Sequence, residues 1–255
     1  MKAERTTQSE LWQPEALAAF KDSLTDGLHP DDTGGKKGQS FGNGLQGVSV
    51  KHLPSGQIKR SQVFALAANP SINTATVCAA AMAWGGMNQR FSEKFFSLAG
   101  DGWLKVAERI RAGLLDRKAA YAALANLRRD GKLYGTGPAY FTKLIYFLTP
   151  RAGGEGDQPY IMDQWAGCSI NLLLSRELVK MNVTRIWAMG KPKPVFSYQV
   201  AEANTCEDYE EFCAATDVLR LEFGLTPDQV DRAMIANGGR NRSSWRHYVI
   251  KNRRI

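Results

Sequence analysis

The sequence predicts a mainly α protein with two helical lobes and one small β-hairpin near the N-terminus. Three observations carry that expectation. From Asn73 onward, seven windows repeat apolar residues at i, i+3 and i+4. Upstream, Val48 to His52 and Ile58 to Ala65 flank Pro54-Ser55-Gly56 and alternate enough for two short strands. Finally, 255 residues at 44% hydrophobic can bury one large core or two modest ones, and no window approaches ~18 uninterrupted apolar residues.

Taken in order, Glu15 to Leu24 reads as an amphipathic helix and His29 to Gly47 as a loop. Within that loop Gly34-Gly35-Lys36-Lys37-Gly38-Gln39-Ser40 has the wrong spacing for a nucleotide phosphate loop and reads as a mobile basic segment. The hairpin follows. The helical windows are Thr74–Trp84, Trp103–Leu114, Arg117–Arg129, Pro138–Leu148, Gln164–Arg176, Glu207–Phe223 and Pro227–Ala236, with Asp116, Thr205 and Thr226 placed as N-caps of three of them. Residues 1–70 thus carry the first helix, the loop and the hairpin, residues 71–176 a helical core, and residues 177–255 C-terminal helices with a basic tail.

Charge points to a polyanion. Lys and Arg number 33 against 25 Asp and Glu, a net charge of +8, and the isoelectric point is near 9.3. After Asp231 no acid appears, while Arg232, Arg240, Arg242, Arg246, Lys251, Arg253 and Arg254 crowd around Trp245, His247 and Tyr248. Such a tail would add nucleic-acid affinity through counterion release. The start of the chain lacks an apolar signal core, so a cytoplasmic monomer with no membrane segment is expected. Cys78, Cys168, Cys206 and Cys213 are irregularly spaced without histidine partners, which predicts buried reduced thiols and no metal. His29, His52 and His247 have no spacing with Asp or Cys that builds a triad.

The chemistry concentrates in residues 124–163. A helix pattern ends at Asp130-Gly131, a tight turn carries Gly135-Thr136-Gly137, and Pro138 starts a second helix at its favoured first position. Two glycines let the backbone turn where a Cβ would clash. The N–H groups of the turn and of the following helix start can then point together at a phosphate, with Lys132 beside them. A contact of that kind positions a duplex without reading its sequence.

With this hairpin, the chain resembles the helix-hairpin-helix DNA glycosylases over about residues 71–176, and most closely their 8-oxoguanine glycosylase branch. The resemblance rests on a small-residue helix ending in Trp84-Gly85-Gly86-Met87-Asn88-Gln89-Arg90, on Leu133 to Gly137, and on a Pro-x-x-x-Asp approach to Asp163. It implies a two-lobed helix-hairpin-helix fold, double-stranded DNA with a flipped nucleotide as partner, and no cofactor beyond a monovalent cation at the hairpin. It also implies Asp163 as the catalytic carboxylate facing the sugar of the extruded nucleotide. Met87, Asn88, Gln89 and Arg90 would fill the gap left by the base and touch its orphaned partner, although an ordinary helix end explains that turn equally well. Trp165, after the aspartate, is either core or a stacking surface.

One position departs from the branch. Where the bifunctional enzymes carry a Schiff-base lysine two residues after the second hairpin glycine, this sequence has Ala139. A methyl group is no nucleophile, which favours hydrolysis assisted by Asp163. Lys143 shares a helical face with Ala139 and is either a displaced nucleophile or a lysine reaching solvent or phosphate. With Ala139 and Trp165 it is assigned to the base pocket, where a small residue and a cation suit a bulky, oxygen-rich base such as a decorated pyrimidine of phage DNA better than 8-oxoguanine. The competing readings are a lyase working through Lys143 and a catalytically silent DNA-binding protein. Asp163 separates enzyme from binder, because a carboxylate near phosphate has no use in binding alone.

Overall fold

The computed structural model describes residues 11–25, 33–98, 100, 102–151, 158–187, 194–235 and 243–253. Those residues form twelve α-helices and two separate antiparallel two-stranded sheets. The chain divides into two compact units that interleave in sequence. One comprises Pro30–Ile161 and Thr205–Glu210, the other Met1–His29, Met162–Asn204 and Glu211–Ile255.

The unit containing the Gly-x-Gly turn is built around α4 (Thr74–Trp84), in which every residue after Thr74 is buried. Its run of alanines lets neighbouring backbones approach closely. α2 (Gly38–Gly42), α3 (Arg60–Ala68), α6 (Trp103–Arg111) and α8 (Pro138–Leu148) all pack on it, and α7 (Arg117–Arg129) packs on α6 and α8. Asn73 caps α4 and Asp116 caps α7 through side-chain oxygens that accept from Thr76 N (2.9 Å) and Ala119 N (2.7 Å). α5 (Gln89–Ser97) buries Phe95 and Phe96 around Trp103, with Phe95 stacked at 4.1 Å between centroids.

The small sheet of this unit pairs β1 (Thr33–Lys37) with β2 (Gln57–Lys59). This corrects both the expected loop over 29–47 and the expected hairpin: Val50–His52 is a 3-10 turn, and Arg60–Ala68 is helix. Gly35 explains β1. Its φ is +40°, and a Cβ there would collide with Ala83 O and the backbone of Gly86, so this strand can lie on the end of α4 only as glycine.

The second unit packs α1 (Pro14–Leu24), α9 (Gln164–Leu174), α11 (Pro227–Ile235) and α12 (Ser244–Asn252). Phe20 meets Trp245 edge-on at 5.2 Å. The Trp245 indole donates to Ser169 Oγ (2.9 Å), which donates to the Met234 carbonyl (3.0 Å), so both of these buried polar side chains are paired. α10 (Cys206–Glu222) is capped by Thr205, whose Oγ1 accepts from Asp208 N (3.2 Å), and Thr226 does the same for α11 through Gln229 N (3.3 Å).

An antiparallel ribbon of β3 (Met181–Ile186) and β4 (Val195–Val200) stands where only helices were expected. Asn171 and Asn204 clamp its base. Asn171 accepts from Leu178 N and Val179 N at 3.0 and 2.8 Å, and Asn204 brackets Lys180 by accepting from its N–H and donating to its carbonyl, both at 2.9 Å.

α12 holds part of the expected basic tail. Trp245 and Arg246 are buried, so residues 244–252 are a packed helix, while Arg240, Arg242 and Arg254 lie outside the described residues, as does His29. Of the four cysteines, Cys78, Cys168 and Cys213 are buried and Cys206 is half-buried. No helix among the described residues is long and apolar enough to cross a membrane.

Candidate functional site

α7 ends in a Schellman motif. Lys132 N donates to Leu127 O (2.8 Å), Gly131 N to Arg128 O (3.1 Å), and Gly131 takes φ +72°. The chain then turns back through Leu133, which is buried, and the Arg128 guanidinium holds its carbonyl at 3.2 Å. Gly135 has φ +64°, and a Cβ on it would come within 3.0 Å of Phe91 Cβ. Thr136 is fully buried, its hydroxyl donating to the Tyr134 carbonyl at 3.0 Å. Gly137 differs from Gly135: its backbone is extended, at φ −81° and ψ −174°, and nothing lies within 4 Å of where its Cβ would be. It precedes Pro138 at the first position of α8 and caps the helix with no side chain. Among the described residues, no acceptor meets the N–H groups of Gly135, Thr136, Gly137 or Ala139, and this end of α8 carries the partial positive charge of the helix dipole. Lys132 beside it is exposed. The Leu133 and Tyr134 carbonyls already accept from protein donors, so two oxygens that could have faced a cation are engaged.

Ala139 is half-buried at the second position of α8, and Lys143 one turn later is buried. The Lys143 ammonium donates to the Ala139 carbonyl at 2.6 Å and lies 5.3 Å from the Tyr140 ring centroid. Its stem passes over Gly85, where a Cβ would come within 2.8 Å of Lys143 Cδ. Lys143 therefore does not reach for solvent, which corrects one of its two expected roles.

The turn after α4 is a second Schellman motif, with Gly86 at φ +73° and Met87 N bonded to Met82 O at 3.0 Å. Met87 is fully buried, which removes it from the group expected to meet an orphaned base. Asn88 caps α5 by accepting from Arg90 N (3.0 Å), and the Gln89 amide donates to the Phe41 carbonyl (3.4 Å). Arg90 is exposed. The sequence reading passed over two aromatics here. Phe91 and Tyr134 are 42% and 41% exposed and meet edge-to-face at 6.1 Å, flanking Gly135. Their signal was composition: large apolar rings beside turn glycines on otherwise polar stretches.

Asp163 and Trp165 belong to the other unit. Asp163 is half-buried and caps α9, its Oδ1 accepting from Trp165 N (2.8 Å) and Ala166 N (3.1 Å), so two backbone donors orient the carboxylate. The Gln164 amide, oriented to satisfy both ends, donates to Tyr198 O (2.6 Å) and accepts from the Trp165 indole N–H (2.9 Å). Arg246 places its guanidinium carbon 3.7 Å from the Trp165 ring centroid, and Arg253 lies 5.2 Å from that centroid and 4.1 Å from that of Tyr198. Trp165 is thus neither plain core nor a bare platform but an indole stacked with guanidinium. Below it, a cavity of about 240 Å³ is lined by Cys168, Asn171, Glu177, Met181, Val183, Tyr198 and Arg253. Burial pushes the Cys168 thiol up to about 11, with Arg253 opposing the shift. His52 and His247 are exposed.

The structure therefore gathers Lys132, Gly135, Thr136, Gly137, Ala139, Lys143 and the 87–91 turn in one unit, and Asp163 with Trp165 in the other. No group of three or more His, Cys, Asp or Glu that could hold a metal occurs among the described residues. By comparison with known families, the chain is similar over residues 35–235 to the family described as "Putative 8-oxoguanine DNA glycosylase OGG-like protein". The similarity extends well beyond the 71–176 span of the sequence resemblance, taking in most of β1, all of β2 and the β3–β4 ribbon. No curated protein and no solved structure matches the chain.

Proposed function

Because the chain belongs to this OGG-like 8-oxoguanine DNA glycosylase family, we propose that it is a monofunctional DNA glycosylase. In this reading the protein extrudes a damaged or modified nucleotide from double-stranded DNA and hydrolyses the bond between base and deoxyribose, leaving an abasic site. The observation that carries the hydrolytic assignment is the pair at the start of α8: a methyl group at Ala139, with the Lys143 ammonium bonded to that residue's own carbonyl. A lysine so bonded is turned to the backbone rather than poised as an amine nucleophile. Asp163 then accepts a proton from the attacking water. The C1′–N bond breaks, the water oxygen bonds to C1′, and the departing base takes up a proton from solvent. The carboxylate also offsets the positive charge that develops on the sugar.

The N–H groups of Gly135, Thr136, Gly137 and Ala139 hold phosphate, with Lys132 adding charge and the open space at Gly137 admitting a phosphate oxygen. With Met87 buried, contact with the gap and the orphaned base falls to Asn88, Arg90 and the exposed Phe91–Tyr134 pair. Chemistry of this kind needs water and no cofactor. The reading also assigns as substrate a bulky, oxygen-rich base, such as a hydroxymethylated or sugar-decorated pyrimidine of phage DNA, and hence a defence role. It is supported by the small side chain at Ala139, which leaves room for a larger base, and by the positive charge that Lys143 keeps one turn away. The test is incubation with duplexes carrying different lesions and natural modifications, scored for abasic sites. Absence of abasic sites on every duplex overturns the enzymatic reading in favour of a silent binder, and faster release of 8-oxoguanine than of the decorated pyrimidine overturns the substrate assignment.

A further inference from the structure

The β3–β4 ribbon has a face that begins as core and continues into solvent. Strand alternation puts Met181, Val183 and Arg185 on one side of β3, with Trp187 following in phase, and the register sets Val200, Tyr198 and Phe196 opposite the first three. At the base this face is covered: Val200 and Tyr198 are buried, and Met181, Val183 and Tyr198 line the cavity beside α9. Further along it is open. Val183 is 52% exposed and Trp187 66%, and the Arg185 guanidinium rests 5.0 Å from the Trp187 ring centroid. Ile186 on the reverse side is exposed as well. An uncovered two-stranded ribbon with apolar tips is a liability unless something binds it.

Charge says what binds. From Lys180 to Ala201 the sequence holds four cations, Lys180, Arg185, Lys191 and Lys193, and no acid. A segment with that balance attracts a polyanion and would not pair well with a second copy of itself, where like charges would meet. Its most exposed aromatic, Trp187, carries a guanidinium against the ring, a pairing suited to a sugar or base flanked by phosphate. Two antiparallel strands also have the cross-section that a major groove about 12 Å wide admits. We propose that the β3–β4 ribbon is a second DNA-contacting element, with Arg185 on phosphate and Trp187 packed against the sugar or base beside it, anchored through Asn171 and Asn204. The proposal rests on the reading of the protein as a DNA-acting enzyme and adds a contact on the unit that carries Asp163.

The test uses the full chain and an undamaged duplex, so it does not depend on which base, if any, is removed. Fluorescence anisotropy across a salt series should show Trp187→Ala weakening binding about tenfold, and Arg185→Ala weakening it less while making the salt slope shallower by about one. Trp187→Phe should restore most of the affinity. Both positions are exposed, and circular dichroism of the variants should match the parent. Unchanged affinity and slope in the double variant would overturn the proposal. So would sedimentation showing that Trp187→Ala dissociates an oligomer without altering DNA affinity, since the ribbon would then serve contacts between copies. Loss of base release on every duplex with ribbon-dependent DNA binding intact would instead sink the glycosylase reading and leave the DNA contact standing.

Discussion

Gly135 and Gly137 look interchangeable in the sequence and should behave oppositely under substitution. Replacing Gly135 with alanine forces an L residue to φ +64°, at a cost of about 1–2 kcal/mol, and presses its Cβ against Phe91 at 3.0–3.3 Å. Phe91 is partly exposed and can yield, so the backbone term dominates and Tm should fall by roughly 2–8 °C at about 2–4 °C per kcal/mol. Gly137→Ala carries neither penalty, because the backbone is extended and the Cβ would enter empty space. Its Tm should stay within about 1 °C of the parent. If a phosphate oxygen uses that space, however, the methyl displaces it from the N–H groups around it. Loss of one charge-assisted hydrogen bond, about 1.5–3 kcal/mol, predicts roughly ten- to hundredfold weaker binding, the same on every duplex sequence. Differential scanning fluorimetry with anisotropy on two unrelated duplexes separates the two effects. Parent-like DNA affinity in Gly137→Ala would refute a phosphate at the start of α8, and loss confined to one duplex would mean that the turn reads bases.

Asp163→Asn should abolish base release while leaving DNA binding equal or tighter. Asparagine can still cap α9 through Oδ1, so the melting curve should be near parental and single-turnover excision carries the result. Borohydride should trap no covalent enzyme–DNA adduct, and product strands should stay intact until alkali treatment; an adduct lost in Lys143→Ala would place the nucleophile one turn along. Burial pushes the Cys168 thiol up to about 11, so the fold favours the protonated thiol, and the stability this contributes is present near neutral pH and is lost as pH rises towards 11. Urea unfolding at pH 8 and pH 11 should therefore show a drop at the higher pH that is smaller in Cys168→Ala.

Legibility followed local signals. α4, α7 and α8 have the bounds that periodicity predicts, because each is closed at both ends by chemistry written in the chain: Asn73 and Gly86, Asp116 and Gly131, Pro138 and the apolar run to Leu148. The β1–β2 pairing was not legible, since what stabilises β1 is the contact of Gly35 with the end of α4, a partner 48 residues away in sequence for Ala83 and outside any window. The β3–β4 ribbon was legible and was passed over. Val183, Thr184, Ile186 and Trp187 give residues 182–187 a strand-favouring composition, and Gly190, Pro192 and Pro194 mark a turn before Val195. At the site, the turn between α7 and α8 followed from residue type and spacing, whereas the cap that Asp163 forms on α9 went unread. The burial of Met87 and the bond from Lys143 to Ala139 did not follow, because neither the orientation of a side chain nor what fills the space behind it is set by residues three or four positions away.

Gly85 gives that lysine a history. A single methyl added there would collide with the Lys143 stem and turn the ammonium away from the carbonyl that now holds it. If the proposed hydrolytic course rests on that bond, two reaction courses, one ending at an abasic site and one continuing to a broken strand, are neighbours in sequence space, separated by the choice between glycine and alanine on a different helix end. A lineage could cross between them without touching the aspartate, the hairpin or the lysine itself, and residue 85 is where a survey of natural variants should look first for the crossing.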